Sequence, residues 1–136
     1  MISTFNSTTQ TVEVGGAYEF DTNRIATGCT VGHTPGSSTF TLTKPGYYYV
    51  TFNTVFTTAD TGVATVELRN DGTVVPSAIG SETVTTAGDV KSISFSTIIR
   101  VLPSCCAIDN TATLIFVATG IELTASAASV SITKLC

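Results

Sequence analysis

The sequence predicts an all-β protein, built as a sandwich or jelly roll of roughly eight to ten antiparallel strands. Threonine is the commonest residue, and valine, isoleucine, phenylalanine and tyrosine are frequent. Side chains that branch at Cβ or carry a ring favour pleated strands. Short segments with apolar residues are separated by turn residues at intervals of about 8–12 residues, a spacing typical of sandwiches. No amphipathic helical stretch interrupts this pattern.

Four strands are predicted in the first half of the chain, and glycine or proline residues separate them. Gly15-Gly16 lies between the first two strands and Pro45-Gly46 precedes the fourth, since both residue types favour turns. The four are TVEV (Thr11–Val14), AYEF (Ala17–Phe20), STFTLT (Ser38–Thr43) and a tyrosine-rich strand that ends near Thr57.

The second half begins with a predicted hairpin. Asn70-Asp71-Gly72 is the turn, because Asp-Gly readily adopts the positive φ that tight hairpins need. The return strand TVV is expected to end at Pro76. The other strands of this half are VATVELR (Val63–Arg69), VKSISFSTIIRV (Val90–Val101), TATLIFVA (Thr111–Ala118) and ASVSITKL (Ala128–Leu135).

The tyrosine-rich strand, within KPGYYYVTFNTVF (Lys44–Phe56), carries large side chains on both faces. Because successive side chains of a strand point to opposite faces, Tyr48, Val50 and Phe52 can line the core. The second face then carries Tyr47, Tyr49 and Val55. TATLIFVA is likewise apolar on both faces. Either a loop of the same protomer or a second chain must cover these side chains.

Composition favours burial against a partner. Hydrophobic residues make up 43% of the chain and charged residues 12%, against about 25% charged in an average domain. A small monomer of this composition would expose large apolar patches. No apolar run approaches the roughly 18 residues of a membrane-spanning helix, and MISTFNSTTQ lacks the basic and apolar regions of a secretory signal. We therefore expect protein partners.

Charge argues against nucleic acid as a ligand. The net charge is −4 and the six basic residues are scattered along the chain, so no basic stripe is available to neutralise phosphates. No linker, repeat or block of charge divides the sequence. We expect a single domain over residues 1–136, with residues 1–9 as a docking arm.

The sequence offers little catalytic or metal-binding chemistry. His33 is the only histidine, so any Ser-His or Cys-His pair would have to use it; a surface-loop role is the simpler interpretation. Cys29, His33, Cys105 and Cys106 have the ligand types of a zinc site, but their spacing matches no zinc-finger pattern. The alternatives are free thiols, bonds from Cys105 and Cys106 to Cys29 or Cys136, and thiolates of several chains grouped around a symmetry axis as a metal site. We predict no enzyme and no cofactor.

Four blocks in order resemble the globular heads of the tumour necrosis factor and complement superfamily. These are PGYYYVTFNTVF, VELRNDGTVVPSA, AGDVKSISFSTIIRV and ASVSITKL. The sequence is similar in particular to bacterial and phage members, including the heads of exosporium collagen-like proteins and phage capsid decoration or fibre proteins. The resemblance implies a ten-stranded jelly roll that forms a homotrimer.

A trimer would cover the second faces of the two doubly apolar strands. On this interpretation the trimer interface contains Tyr47, Tyr49, Val55, Leu114 and Phe116. Tyrosine suits such a place because it combines a large apolar ring with a polar hydroxyl.

The functional expectation is a structural protein on a virion surface, made in the host cytoplasm and attached to a capsid or other particle protein. Ile2 and Phe5 are the large apolar residues of the segment Ile2–Thr9 and are predicted to dock on that partner. The alternative is a trimeric ligand or adhesin head, extracellular or on a spore surface, that binds a receptor or glycan.

Overall fold

The computed structural model describes residues 1–102 and 112–135, which form eleven β-strands and no helix. Within this part of the chain no helix could span a membrane. The strands are β1 (Ile2–Asn6), β2 (Gln10–Val12), β3 (Thr22–Ala26), β4 (Val31–Gly32), β5 (Phe40–Leu42), β6 (Gly46–Thr57), β7 (Gly62–Asn70), β8 (Thr73–Val84), β9 (Lys91–Val101), β10 (Ala112–Thr119) and β11 (Leu123–Lys134).

The strands form two antiparallel sheets. Sheet A has the order β3-β1-β11-β6-β9, and β2 also pairs with β11. Sheet B has the order β4-β5-β10-β7-β8. Neighbours in space are mostly distant in sequence, as in a jelly roll. The predicted all-β sandwich is confirmed.

The core lies between the sheets and is rich in aromatic rings. Phe52 of β6 stacks on Phe116 of β10, with ring centroids 4.8 Å apart. Tyr18 meets Phe52 edge-on at 5.2 Å. All three side chains are fully buried. These contacts join the two sheets, and such aromatic pairs stabilise a core beyond simple area burial.

Two strand predictions are corrected. The segment Ala17–Phe20 makes only a single bridge, between Ala17 and Val117, although Tyr18 and Phe20 are completely buried. Pro76 does not end the return strand, since β8 continues from Thr73 to Val84. β8 is the edge strand of sheet B, where the missing N–H of a proline can face away from the sheet.

The predicted docking arm is also corrected. β1 lies inside sheet A, paired with β11 on one side and β3 on the other. The Ile2 side chain is only 1% exposed and belongs to the core, so it cannot anchor the chain to a partner. Phe5, on the opposite face of β1, remains half-buried.

A carboxylate fastens the loop after β1 to the start of β3. Ser7 donates hydrogen bonds from its hydroxyl (2.6 Å) and its amide (2.9 Å) to the carboxylate of Asp21. These bonds, the hydroxyl first, lower the pKa of Asp21 because they stabilise the charged form.

The resulting contribution to stability should depend on pH. Because the folded-state pKa of Asp21 is lowered, the contribution is complete above the unfolded pKa, about 3.9, and is lost as the pH falls through the folded value. We expect Asp21→Asn to lower the melting temperature slightly at pH 7 and to have less effect near pH 2. Melting temperatures of both proteins from pH 2 to 7 measure this; a difference independent of pH would contradict it.

Candidate functional site: the outer face of sheet A

The outer face of sheet A carries large side chains that the described residues leave exposed. Along β6, Tyr48, Val50 and Phe52 are fully buried, as expected for the core face. On the opposite face of β6, Tyr47 and Tyr49 are 41% and 42% exposed, and Val55 is 37% exposed. The sequence therefore placed these side chains on the correct faces. What covers the outer face is a separate question.

An apolar cluster lies at one end of this face. Tyr49 of β6 is directly opposite Ile98 of β9, and Tyr47 is opposite Arg100. The Arg100 guanidinium carbon is 5.5 Å from the centre of the Tyr47 ring, within the range of a cation–π contact. Leu135 adjoins the cluster, because its amide donates a 2.7 Å hydrogen bond to the carbonyl of Tyr47.

A polar belt crosses the middle of the face. Its side chains are uncharged and follow from the pairing of β9, β6, β11 and β1. They are Thr51, Asn53, Ser94, Ser96, Ser129, Ser131 and Ser3. Such groups can donate and accept hydrogen bonds across an interface without the desolvation cost of charges.

An apolar pocket lies beyond the belt, at the other end of the face. Its volume is about 200 Å³, and Phe5 and Val55 form two of its walls. Small side chains of β11 from Ala127 to Ser129 also line it. We call it the Phe5–Val55 pocket.

A β-bulge shapes this pocket. The β6–β11 register shifts between Ala125 and Ala127, which leaves Ser126 as the extra residue. The Thr54 hydroxyl donates to the carbonyl of Ala127 at 2.9 Å and lies 3.2 Å from the Tyr18 hydroxyl. Burial raises the pKa of Tyr18 to about 12, so this buried hydroxyl stays neutral. The sequence signal that could have revealed the pocket is the run of small residues ASAAS (125–129).

The outer face has almost no charge. At the outward positions of β1, β6, β9 and β11 within the described residues, Arg100 is the one ionisable side chain apart from the two tyrosines. Burying this face against protein therefore needs little desolvation of charge. Depletion of charge and enrichment in tyrosine characterise the centres of protein interfaces.

Two predicted interface residues are corrected. Leu114 and Phe116 of β10 are fully buried inside the protomer, so they are unavailable to another chain. The apolar second face of β10 is covered locally at Val117, which is 1% exposed. Val117 lies between Glu67 of β7 and Ala17. At Val117 the protomer itself supplies the cover, while Ile115 on the same face is half-buried.

His33 has a structural environment. Its Nδ1 lies 2.6 Å from Oδ1 of Asn23, and its Nε2 lies 2.8 Å from the carbonyl oxygen of Ser37. The ring also stacks on Phe40 at 4.5 Å. Both ring nitrogens thus lie within hydrogen-bond distance of an oxygen of the same protomer, one from β3 and one from the loop before β5.

The described residues do not bring the other predicted zinc ligands together. Cys29 is exposed and has no disulfide partner among the described residues, while Cys105, Cys106 and Cys136 lie outside them. Among residues 1–102 and 112–135 no group of three or more His, Cys, Asp or Glu side chains could hold a metal ion.

Comparison with solved structures identifies the fold. Eiger tumour necrosis factor from S. frugiperda superposes with a TM-score of 0.76 and 9% identity, covering 100% of this chain and 92% of that chain. Murine APRIL gives 0.63 and 9% identity, with 98% of each chain covered. The PRD1 vertex protein P5 gives 0.61 and 14% identity, covering 99% of this chain and 96% of that chain.

No family model matches the sequence, and no curated protein matches it. The structural superpositions nevertheless show that the chain has the tumour necrosis factor-like jelly-roll fold. The resemblance detected in the four sequence blocks is confirmed at this level.

Proposed function

We propose that this chain is a non-enzymatic structural protein of a virus particle, a trimeric module of the kind that decorates a phage capsid or forms its fibres. The observation that carries the proposal is the outer face of sheet A, which exposes Tyr47, Tyr49 and Val55 on a surface nearly free of charge. The similarity to the PRD1 vertex protein P5 supports a role on a particle.

Self-association is the simplest way to cover this face. Each protomer of a cyclic trimer buries the same two surfaces, and a closed ring leaves neither surface free. A trimer could then attach to a particle through one patch repeated three times, so that weak contacts combine through effective concentration. With β1 held inside sheet A, the segment 28–38, which contains β4 at the edge of sheet B, replaces the N-terminal segment as the proposed docking patch.

A second function is supported by two of the comparisons. Eiger and APRIL are tumour necrosis factor-type ligands, so the same trimer could serve as a ligand or adhesin head. Its partner would then be a receptor or glycan rather than a particle.

The proposal is tested in two steps. Light scattering at micromolar concentration should give about three times the 14.1 kDa of one chain. Antibodies raised against the purified chain should then label virus particles from cells that carry this coding sequence, and mass spectrometry should detect the chain in those particles.

The outcomes separate the hypotheses. A monomeric mass would overturn the trimer and with it both functions. A trimer that is absent from particles but captured by a receptor or glycan would favour the ligand function. In particles that contain the chain, Thr34→Ala combined with Pro35→Ala at the exposed tip of this segment should reduce occupancy while the trimer persists.

A further inference from the structure

Another pocket lies on the outer face of sheet B, beside its β4 edge. Phe40 and Leu42 of β5 are fully buried in the core, so the alternate residues of this strand face outward. The volume of the pocket is about 370 Å³. Its lining residues, none of them charged, are Gly32, His33, Thr34, Ser37, Thr39 and Thr41. We call it the His33–Thr41 pocket.

Hydrogen bonds hold the wall of this pocket in one shape. The side-chain amide of Asn23 donates to the carbonyl of His33 at 2.7 Å. The backbone amide of Ser37 donates to the carbonyl of Thr34 at 2.9 Å, and the Ser37 hydroxyl accepts a 3.1 Å hydrogen bond from the amide of Thr39. A site preformed in this way loses little conformational entropy when a ligand binds.

The His33 ring borders the pocket mainly through carbon atoms. Its two nitrogens lie against oxygens of Asn23 and Ser37. Phe40 stacks on one face of the ring, with centroids 4.5 Å and planes 18° apart, and Phe20 approaches edge-on at 6.3 Å. The ring surface that remains for a ligand is therefore apolar, and it is backed by a rigid aromatic neighbour.

Three threonine hydroxyls supply the polar side of the pocket. They belong to Thr34, Thr39 and Thr41, and each hydroxyl can donate one hydrogen bond and accept two. Among the described residues no side-chain hydrogen bond engages these three groups. The pocket thus combines uncharged hydrogen-bonding groups with one apolar ring surface.

This combination selects a neutral ligand rich in hydroxyl groups. Small-molecule sites have volumes of roughly 300–1,000 Å³ but are mostly apolar, so the size fits and the polarity restricts the ligand. A phosphate or carboxylate would need cationic side chains, and no lysine or arginine lines the pocket. An added peptide strand would need a long free edge, whereas β4 has two residues. A sugar ring offers hydroxyls on its rim and C–H groups on its face.

We propose that the His33–Thr41 pocket binds a neutral sugar residue of a glycan, with sugar hydroxyls on Thr39 and Thr41 and the sugar face on the His33 ring. This inference rests on the proposed docking patch, the segment 28–38, and names the chemistry that the patch recognises on its partner. The pocket lies on the sheet opposite the proposed self-association face, so a trimer carries three copies. Binding at one polar site should be weak, and three sites combine through effective concentration.

Sugar titrations of the full chain test the site. Methyl glycosides of glucose, galactose, mannose and N-acetylglucosamine would be added to isotope-labelled protein, with glucuronic acid and sialic acid as charged comparisons. At least one neutral sugar should shift the NMR amide signals of residues 32–41 to saturation. The charged sugars should bind more weakly, because the pocket offers them no cation.

Removal of two hydroxyls provides the matched pair of variants. Thr39→Val combined with Thr41→Val keeps the β-branched shape and should raise the dissociation constant of the sugar at least about tenfold, since two neutral hydrogen bonds are lost. The control is Thr65→Val combined with Thr119→Val, because these residues are directly opposite each other in sheet B and outside the pocket. Its effect should stay within about twofold. Circular dichroism should show both variants folded.

Three results would overturn the carbohydrate site. They are the absence of a saturable shift with every neutral sugar, equal dissociation constants for the two double variants, and tighter binding of the charged sugars. A peptide that binds the pocket when no neutral sugar does would assign the site to protein instead, and so would also overturn the inference.

Competition identifies the source of the sugar and separates this inference from the proposed function. The sugar that binds would be added while the trimer attaches to virus particles or to host cells, and the attachment that it inhibits shows which surface carries the glycan. A trimer found in particles that binds no sugar overturns this inference and leaves the proposed function standing. A sugar-binding chain that is absent from particles supports this inference and overturns the role on a particle.

Discussion

Phe52→Ser should largely unfold the protomer, whereas Tyr49→Ser should leave it folded and weaken the trimer. The Phe52 ring is fully buried and contacts Phe116, Phe95 and Tyr18. Removing a buried phenylalanine side chain costs about 3–5 kcal/mol, and an unpaired buried hydroxyl adds about 1–3 kcal/mol. The sum is comparable to the total stability of many domains, about 5–15 kcal/mol.

Tyr49 is the matched comparison, because it receives the same substitution three residues away on the opposite face of β6. Its ring is 42% exposed in the protomer, so its loss should cost the protomer fold under about 1 kcal/mol. Far-UV circular dichroism and light scattering on both variants measure fold and assembly. An intact trimer in Tyr49→Ser together with a stable Phe52→Ser would show that the face assignment is inverted.

Gly120→Ala should also be strongly destabilising. We expect it to lower the unfolding free energy by about 2 kcal/mol or more. Gly120 follows β10 with a φ of +90°, a conformation that side-chain-bearing residues rarely adopt. In addition, a Cβ atom there would overlap the carbonyl oxygen of Val63 in β7. The backbone of a paired strand cannot move aside without breaking its sheet. Gly120→Ala should therefore show both the conformational cost of the positive φ and the cost of the overlap with Val63.

Gly36→Ala separates the two costs, because Gly36 has nearly the same φ, +91°, with nothing within 4 Å of an added Cβ. It should show the conformational cost alone, about 1–2 kcal/mol. The difference in unfolding free energy between the two variants, from urea titrations with unchanged m-values, measures the clash with Val63. Equal effects at both positions would contradict the close approach of Gly120 to β7.

The sequence alone determined the strands whose local pattern is strong. VATVELR alternates between apolar and polar residues with period two, so its inward and outward faces follow from the order of its residues. Asn70-Asp71-Gly72 likewise predicted its hairpin, and Asp71 has the positive φ of 51° that such a turn requires. Local backbone preference and burial of one face decide these features, and both are written in neighbouring residues.

Only the tertiary structure decided which side of each doubly apolar strand is covered by the protomer. Leu114 and Phe116 face the core, and Val117 is 1% exposed, with strand partners Glu67 and Ala17 that are far from it in sequence. Among the described residues, Tyr49 has no such cover and is 42% exposed. Periodicity shows that a strand has two apolar faces, but what covers each face depends on long-range strand order.

The same reason explains the error at the N-terminus and the pocket that sequence reasoning missed. Ile2–Asn6 is short, rich in polar residues and weakly patterned as a strand, yet β11 and β3 hold it on both sides. The Phe5–Val55 pocket combines β1, β6 and β11 with a bulge at Ser126. Its parts are separated by tens of residues along the chain, and only the pairing of the strands brings them together, since register across a sheet is a tertiary property.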